Sequence, residues 1–146
     1  MYVIFAANEN TDRRILSEIP IYLLVMINDD GSGDLMAKHE FGILETNPES
    51  EASYDTYEPE KNNCIAVDDD SIEPLLKKLS LMETYSHRLS RPIKGLEYTG
   101  ITLIPPTSLP QFKTIIASIS RAELHVLSNK IDEAMQRHKF MIHYGL

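Results

Sequence analysis

Tyr98 to Gln111 reads Tyr-Thr-Gly-Ile-Thr-Leu-Ile-Pro-Pro-Thr-Ser-Leu-Pro-Gln and constrains the fold more than any other stretch. A β-prone apolar segment runs into two consecutive prolines, neither of which can donate to a strand ladder. Ser108-Leu-Pro-Gln111 then has the form of a capping box, with Pro110 in an early position where a missing N–H is tolerated. Strand, stop and helix start follow one another directly, so the chain must change from period two to period 3.6 here. Behind this point lie two amphipathic stripes, Leu109, Phe112, Ile115, Ile116 and Ile119, then Leu124, Leu127, Ile131 and Met135. Ser120-Arg-Ala-Glu123 is a second capping-box pattern and predicts that the helix is bent or restarted at Ser120. A terminal strand over Lys139 to Tyr144 puts Phe140, Ile142 and Tyr144 on one face and Met141 and His143 on the other.

Ahead of the prolines the pattern is less regular. Tyr2 to Ala7 reads as a strand, and Thr11 or Asp12 caps a short helix over Arg13 to Glu18. Ile21 to Ile27, bounded by Pro20 and Asn28-Asp-Asp-Gly, reads as a strand buried on both faces and central in a sheet. Phe41 to Glu45 and Cys64 to Val67 are further strands. Ser71 as N-cap, with Pro74 at the third helical position, begins a helix. Its buried stripe is Ile72, Leu75, Leu76, Leu79, Met82 and Leu89, its end falls at His87 to Arg91, and Pro92 to Gly95 turns the chain. The expected fold is α+β: one domain over residues 1–146, with a mixed or antiparallel sheet of about five to six strands against three main helices. Residues 46–63 form a long acidic loop within it.

At 146 residues, such a chain buries roughly 70% of its extended-chain surface without staples. A single cysteine, Cys64, excludes an internal disulfide framework and fits a reducing compartment. Beside Ile65 and Val67 it reads as a buried strand cysteine. The longest apolar run is too short to span a bilayer, and the first residues lack the basic and apolar regions of a signal peptide. The expectation is a cytoplasmic protein, a monomer or weak dimer, with no membrane partner.

Charge is unevenly distributed. Between Asn28 and Glu73 fourteen acids face only Lys38 and Lys61, a local charge of −12, whereas from Pro74 onward ten Lys and Arg face five acids, a local +5. The acidic segment repels a phosphate backbone, which argues against nucleic acid as its partner, and attracts a basic protein surface. Long loops inside compact domains are usually functional or mobile, and here Tyr54 and Tyr57 stand among Glu49, Glu51, Asp55, Glu58 and Glu60. Aromatic anchors amid acids suit recognition of a basic protein. The candidate partner-binding residues are therefore Asp29, Asp30, Asp34, Glu49, Glu51, Tyr54, Asp55, Tyr57, Glu58 and Glu60.

Chemistry is hard to find. Asn28 to Asp34 resembles a calcium loop only superficially, because Gly31 and Gly33 fall on ligand positions and Asp34 on the glycine position. The triplet Asp68-Asp69-Asp70 reads as helix capping. No histidine pair has the i, i+4 spacing of a helical zinc site, and no phosphate loop, dinucleotide fingerprint or nucleophile elbow occurs. No catalytic residue, metal site or cofactor is expected. His143 is the one candidate base, near an acid from another strand.

The segment Gly100-Ile-Thr-Leu-Ile-Pro-Pro-Thr-Ser-Leu109, the two helices after it and the ending Phe140-Met-Ile-His-Tyr-Gly-Leu146 resemble immunity proteins of bacterial polymorphic-toxin and contact-dependent growth-inhibition systems. The resemblance covers the C-terminal third and carries no binding residues across. It implies a non-enzymatic cytoplasmic protein that binds and neutralises one cognate toxin domain, often a nuclease with a basic cleft. Two alternatives stay open: a small hydrolase with a pocket near His143, and a non-enzymatic regulatory adaptor.

Overall fold

The computed structural model describes residues 37–146. The expectations for the first strand, the short helix, the strand Ile21–Ile27 and the acids Asp29, Asp30 and Asp34 lie outside the described residues. Within them, six strands form one antiparallel sheet: β1 (Lys38–Ile43), β2 (Ile65–Asp68), β3 (Glu83–Ser86), β4 (Pro92–Lys94), β5 (Ile101–Ile104) and β6 (Met141–Tyr144). Their order across the sheet is β2-β1-β6-β5-β3-β4. The described residues are thus α+β, with a six-stranded antiparallel sheet and three helical stretches.

The inner strands β5 and β6 are buried at every position, the polar Thr102 and His143 included. Registers Phe41↔His143, Thr102↔His143 and Ser86↔Thr102 align one row across four strands. The alternation expected of the last strand holds. Met141 joins the larger core, while Ile142 and Tyr144 join a second cluster on the opposite face with Phe140 packed against it.

The helical layer covers one face. A broken helix comes first: α1 (Asp69–Ile72), a 3-10 turn over Glu73–Leu75, then α2 (Leu76–Leu79). Pro74 sits in that turn and withholds an amide hydrogen, so the helix is interrupted there. After the prolines, a 3-10 turn over Pro106–Ser108 leads into α3 (Leu109–Ile116), and α4 (Ala122–Arg137) follows a break at Ala117 to Arg121. The restart expected near Ser120 is present. Ile72, Leu75, Leu79, Phe112, Ile116, Leu127 and Ile131 all fall below 2% exposure against the sheet. Each such side chain contributes roughly 1.5–3 kcal/mol. Lys113 and Asp132 tie α3 to α4 at the surface at 2.6 Å, a contact of at most about 1 kcal/mol.

The expected helix from Ser71, the expected turn over Pro92 to Gly95 and the expected caps are corrected. The helix from Ser71 does not run to Leu89. It ends at Leu79, and Glu83–Ser86 pairs with Pro92–Lys94 as a hairpin. Met82 and Leu89 kept helical spacing by coincidence, while Thr84 and Ser86, alternating with Tyr85, carry the period of a strand. Pro92 is compatible with a strand because β4 is the last in the described sheet order.

The helix caps also differ. Asp68, not Ser71, is the N-cap residue of α1, and Arg121 precedes α4; neither makes a side-chain cap bond. Ser108 does precede α3, but its hydroxyl donates to the Glu83 carbonyl across to β3. Glu123, expected to close a capping box, instead accepts from the Asp68 amide and the Ser71 hydroxyl. Tertiary partners have taken over groups that a local reading assigns to caps.

Candidate functional site

The acidic loop 46–63 forms no strand or helix, yet it is tied down along its length. The Tyr54 amide donates to the His87 carbonyl at 2.8 Å, and the Cys64 amide donates to Pro59 O at 2.9 Å. His87 Nδ1–H faces both the Tyr54 carbonyl and Asp55 Oδ1 at 3.0 Å, while its Nε2 accepts from the Ile101 amide. Asn62 is buried and donates to the Tyr144 hydroxyl at 2.9 Å. Tyr57 donates to Glu40, and its ring stands edge-on to Tyr144 at 5.2 Å. The loop is thereby a second layer on the face of the sheet that the helices leave uncovered.

Gly42 makes this approach possible. A β-carbon there would lie 2.5 Å from Asn62 O and 2.6 Å from Cys64 Sγ. Asn63, the return point, has a positive φ of 54°, a left-handed conformation that asparagine accepts more readily than most residues. Cys64 lies just before β2 rather than in it, and its thiol is half-buried. Burial, reinforced by Glu40, pushes that thiol up to about 12, so it is inert at neutral pH.

The candidate partner-binding residues divide by role. Glu49, Glu51, Glu58 and Glu60 are exposed, and Tyr57 keeps 62% of its surface open. Tyr54 is partly buried against the cluster of Leu44, Ile101, Leu103, Ile142 and Tyr144, so it anchors the loop. Asp55 serves the same end. Hydrogen bonds from Ser53 and His87, with the charge of Arg88, hold its carboxyl below the usual range despite partial desolvation. Against five carboxylates the loop carries only Lys61, which lies 3.7 Å from Glu58.

On the helix-covered face, the sequence missed a second polar assembly. His39 and His143 are both wholly buried, with ring nitrogens 2.9 Å apart. His39 Nε2 lies 2.8 Å from Asp69 Oδ1, and the Tyr98 hydroxyl donates to Asp69 Oδ2 at 2.6 Å. On the other side His143 Nδ1 lies 3.1 Å from Thr102 Oγ1, which accepts from the Glu97 amide at 2.7 Å. Ser86, also buried, donates to the Glu97 carboxylate.

One directional arrangement satisfies every atom with both rings neutral. Glu97 N–H donates to Thr102, Thr102 O–H to His143 Nδ1, His143 Nε2–H to His39 Nδ1, and His39 Nε2–H to Asp69. Burial, with the nearby His39, holds His143 well below the ordinary histidine range. Burial works against charge on Asp69, but the bonds from Tyr98 and His39 outweigh it and keep its carboxyl low. The bond to Asp69 pushes the Tyr98 phenol up to about 12.

The expectation for His143 is therefore refined. Its immediate neighbour is another histidine, and the carboxylate one step beyond comes from the start of α1 rather than from a strand. The Asp triplet divides too: Asp68 pairs with Lys38, Asp69 with His39 and Tyr98, and Asp70 is exposed. A hint existed in the strand alternation, where His39, Thr102 and His143 fall on otherwise apolar inward positions. Their meeting, across 104 residues of sequence for the two histidines, was not legible.

The surface of the described residues is grooved. One groove, of about 380 Å³, lies between Glu73, Leu76, Lys94, Leu96 and Tyr98, and another of about 220 Å³ lies between Ile116, Arg121, Leu124 and His125. Neither is lined by His143. Among the described residues no group of three or more His, Cys, Asp or Glu is placed to hold a metal ion, and no helix is long and apolar enough to cross a membrane. No protein-family model, curated protein or solved structure matches the chain.

Proposed function

We propose that this chain is a binding protein that recognises a basic protein surface through loop 46–63, and that it acts as an immunity-type inhibitor of a toxin domain. One observation carries the reading. The loop is held on the sheet by Tyr54, Asp55 and Asn62 while Glu49, Glu51, Glu58 and Glu60 project outward. An acidic surface ordered before binding loses little entropy on association, and its charge accelerates encounter with a basic partner. A nuclease cleft shaped for phosphates is such a partner, and the carboxylates would occupy it by resembling substrate charge. The interface would bury on the order of 1,600 Å² in total, with the open Tyr57 ring as an anchor. The inhibitor would act in the cytoplasm of the toxin-exposed cell.

The hydrolase reading draws less support. His143 is fully buried, and both of its ring nitrogens are engaged. The test of the lead reading starts from the gene's neighbourhood, because immunity genes sit beside a large toxin gene. The C-terminal domain of that toxin should co-purify with this protein and lose its toxicity when the two are co-expressed. Cells that survive the toxin domain equally well without this protein would sink the proposal.

A further inference from the structure

The chain from Tyr98 through Asp69, His39 and His143 to Thr102 has one feature that a set of isolated hydrogen bonds lacks. Each link fixes the direction of the next, and a single hydrogen lies between the two imidazoles. An added proton cannot be placed on His39 Nδ1 while His143 Nε2 keeps its hydrogen, because two donors would then face each other across 2.9 Å. The conflict is removed if His143 moves its hydrogen to Nδ1. That hydrogen then points at Thr102 Oγ1, whose second lone pair is free to accept it once the Thr102 hydroxyl hydrogen turns away. In this second state His39 is an imidazolium against the Asp69 carboxylate, His143 is still neutral, and the net gain is one proton.

We propose that the buried His39–His143 pair is a one-proton switch. Acid charges His39, and His143 answers by exchanging tautomers without becoming charged, so the protonation state near the surface is passed to Thr102 in the middle of the sheet.

The surroundings support a limit of one proton. From α1 the pair faces Asp69. From the segment between β4 and β5 it faces Glu97 through Thr102, and Tyr98 both through Asp69 and directly, with the Tyr98 ring edge-on to that of His39 at 5.4 Å. From β1 it meets the ring of Phe41, 4.9 Å from that of His143. Asp70 and Glu73 act on Tyr98 from farther out, and the nearby Lys38 pairs with Asp68. Asp69 is the only carboxylate in direct contact with the pair among the described residues, and the two rings stack with centroids 5.1 Å apart. Two buried imidazoliums at that separation, with one counter-charge, are strongly disfavoured. Solvent reaches the assembly at Asp69, whose side chain is 20% exposed, so no opening of the sheet is required for exchange. The switch stands independently of the partner bound by the acidic loop.

The experiment is histidine-detected nitrogen NMR on the full chain, labelled with nitrogen-15, between pH 8 and pH 5. Both rings should begin as Nε2–H tautomers. As pH falls, His39 should gain the second hydrogen while His143 passes to the Nδ1–H tautomer with no imidazolium signature. Full protonation of His143 in the folded protein, or an Nε2–H tautomer that persists throughout, would overturn the proposal. Asp69→Asn should move the midpoint of the His143 tautomer change to lower pH by about one unit, and an unchanged midpoint would also contradict it. Thr102→Val removes the acceptor and should abolish the change. The unmutated protein decides the matter even if either variant fails to fold.

Discussion

The two faces of the sheet are covered in different ways. On one, α1 to α4 bury a continuous apolar core around Phe41, Leu79, Phe112 and Ile131. On the other, an irregular loop lies over Leu44, Ile101, Leu103, Ile142 and Tyr144, held by a few polar contacts and by the space at Gly42. Apolar area dominates stability on the first face. On the second, fit and hydrogen bonding decide whether the layer stays in place. The comparison shows how a stable helix-backed sheet can carry a charged surface on a loop with little core of its own.

Substitutions should separate the two faces. Phe112→Ala, at a fully buried position against Phe41, should have the largest effect, about 3–5 kcal/mol by urea unfolding, with every part of the fold weakened together. A loss below about 1 kcal/mol would deny the helix face its dominance. Gly42→Ala should cost about 1–3 kcal/mol, because Asn62 O and the Cys64 thiol must yield. Its hydrogen-exchange signature should be confined to residues 46–64, and a uniform rise would mean that the loop is not a separable layer.

An intermediate effect comes from pH. The folded-state value of His143 is depressed, so below the unfolded histidine value near 6.5 the unfolded chain takes up a proton that the folded chain refuses. Stability is therefore intact above that value and falls as pH drops below it, by about 1.4 kcal/mol per unit for one group. Urea midpoints at pH 7.5 and 5.5 check the sign, and a midpoint that rises on acidification would contradict it.

The weakest expected effect lies at the end of α4. His138 occupies the left-handed C-terminal position, with φ at 55°, where glycine is favoured. His138→Gly should raise stability by about 0.5–1 kcal/mol, visible as a small increase in Tm without any change at the acidic loop.

Much of the helix face was legible in the sequence. The stripes of α3 and α4, the break between them and the two-sided terminal strand follow from periodicity and proline chemistry. The hairpin Glu83–Ser86 with Pro92–Lys94 was not, because Met82 and Leu89 happened to extend a helical spacing past Leu79. The loop's acids were legible as a charged surface, but not the division between outward Glu49, Glu51, Glu58 and Glu60 and the anchoring Tyr54 and Asp55. That division depends on His87, which comes from a different hairpin. The buried histidine assembly was least visible, since each member looks like an isolated polar residue until the strands register.

The central claim is that loop 46–63 is ordered before it meets any partner. Backbone amide relaxation on the free protein tests it most directly. Residues 52–63 should give order parameters near the 0.85 of rigid backbone, comparable with β1 and β6, whereas values below about 0.6 through Tyr54 to Asn62 would contradict it.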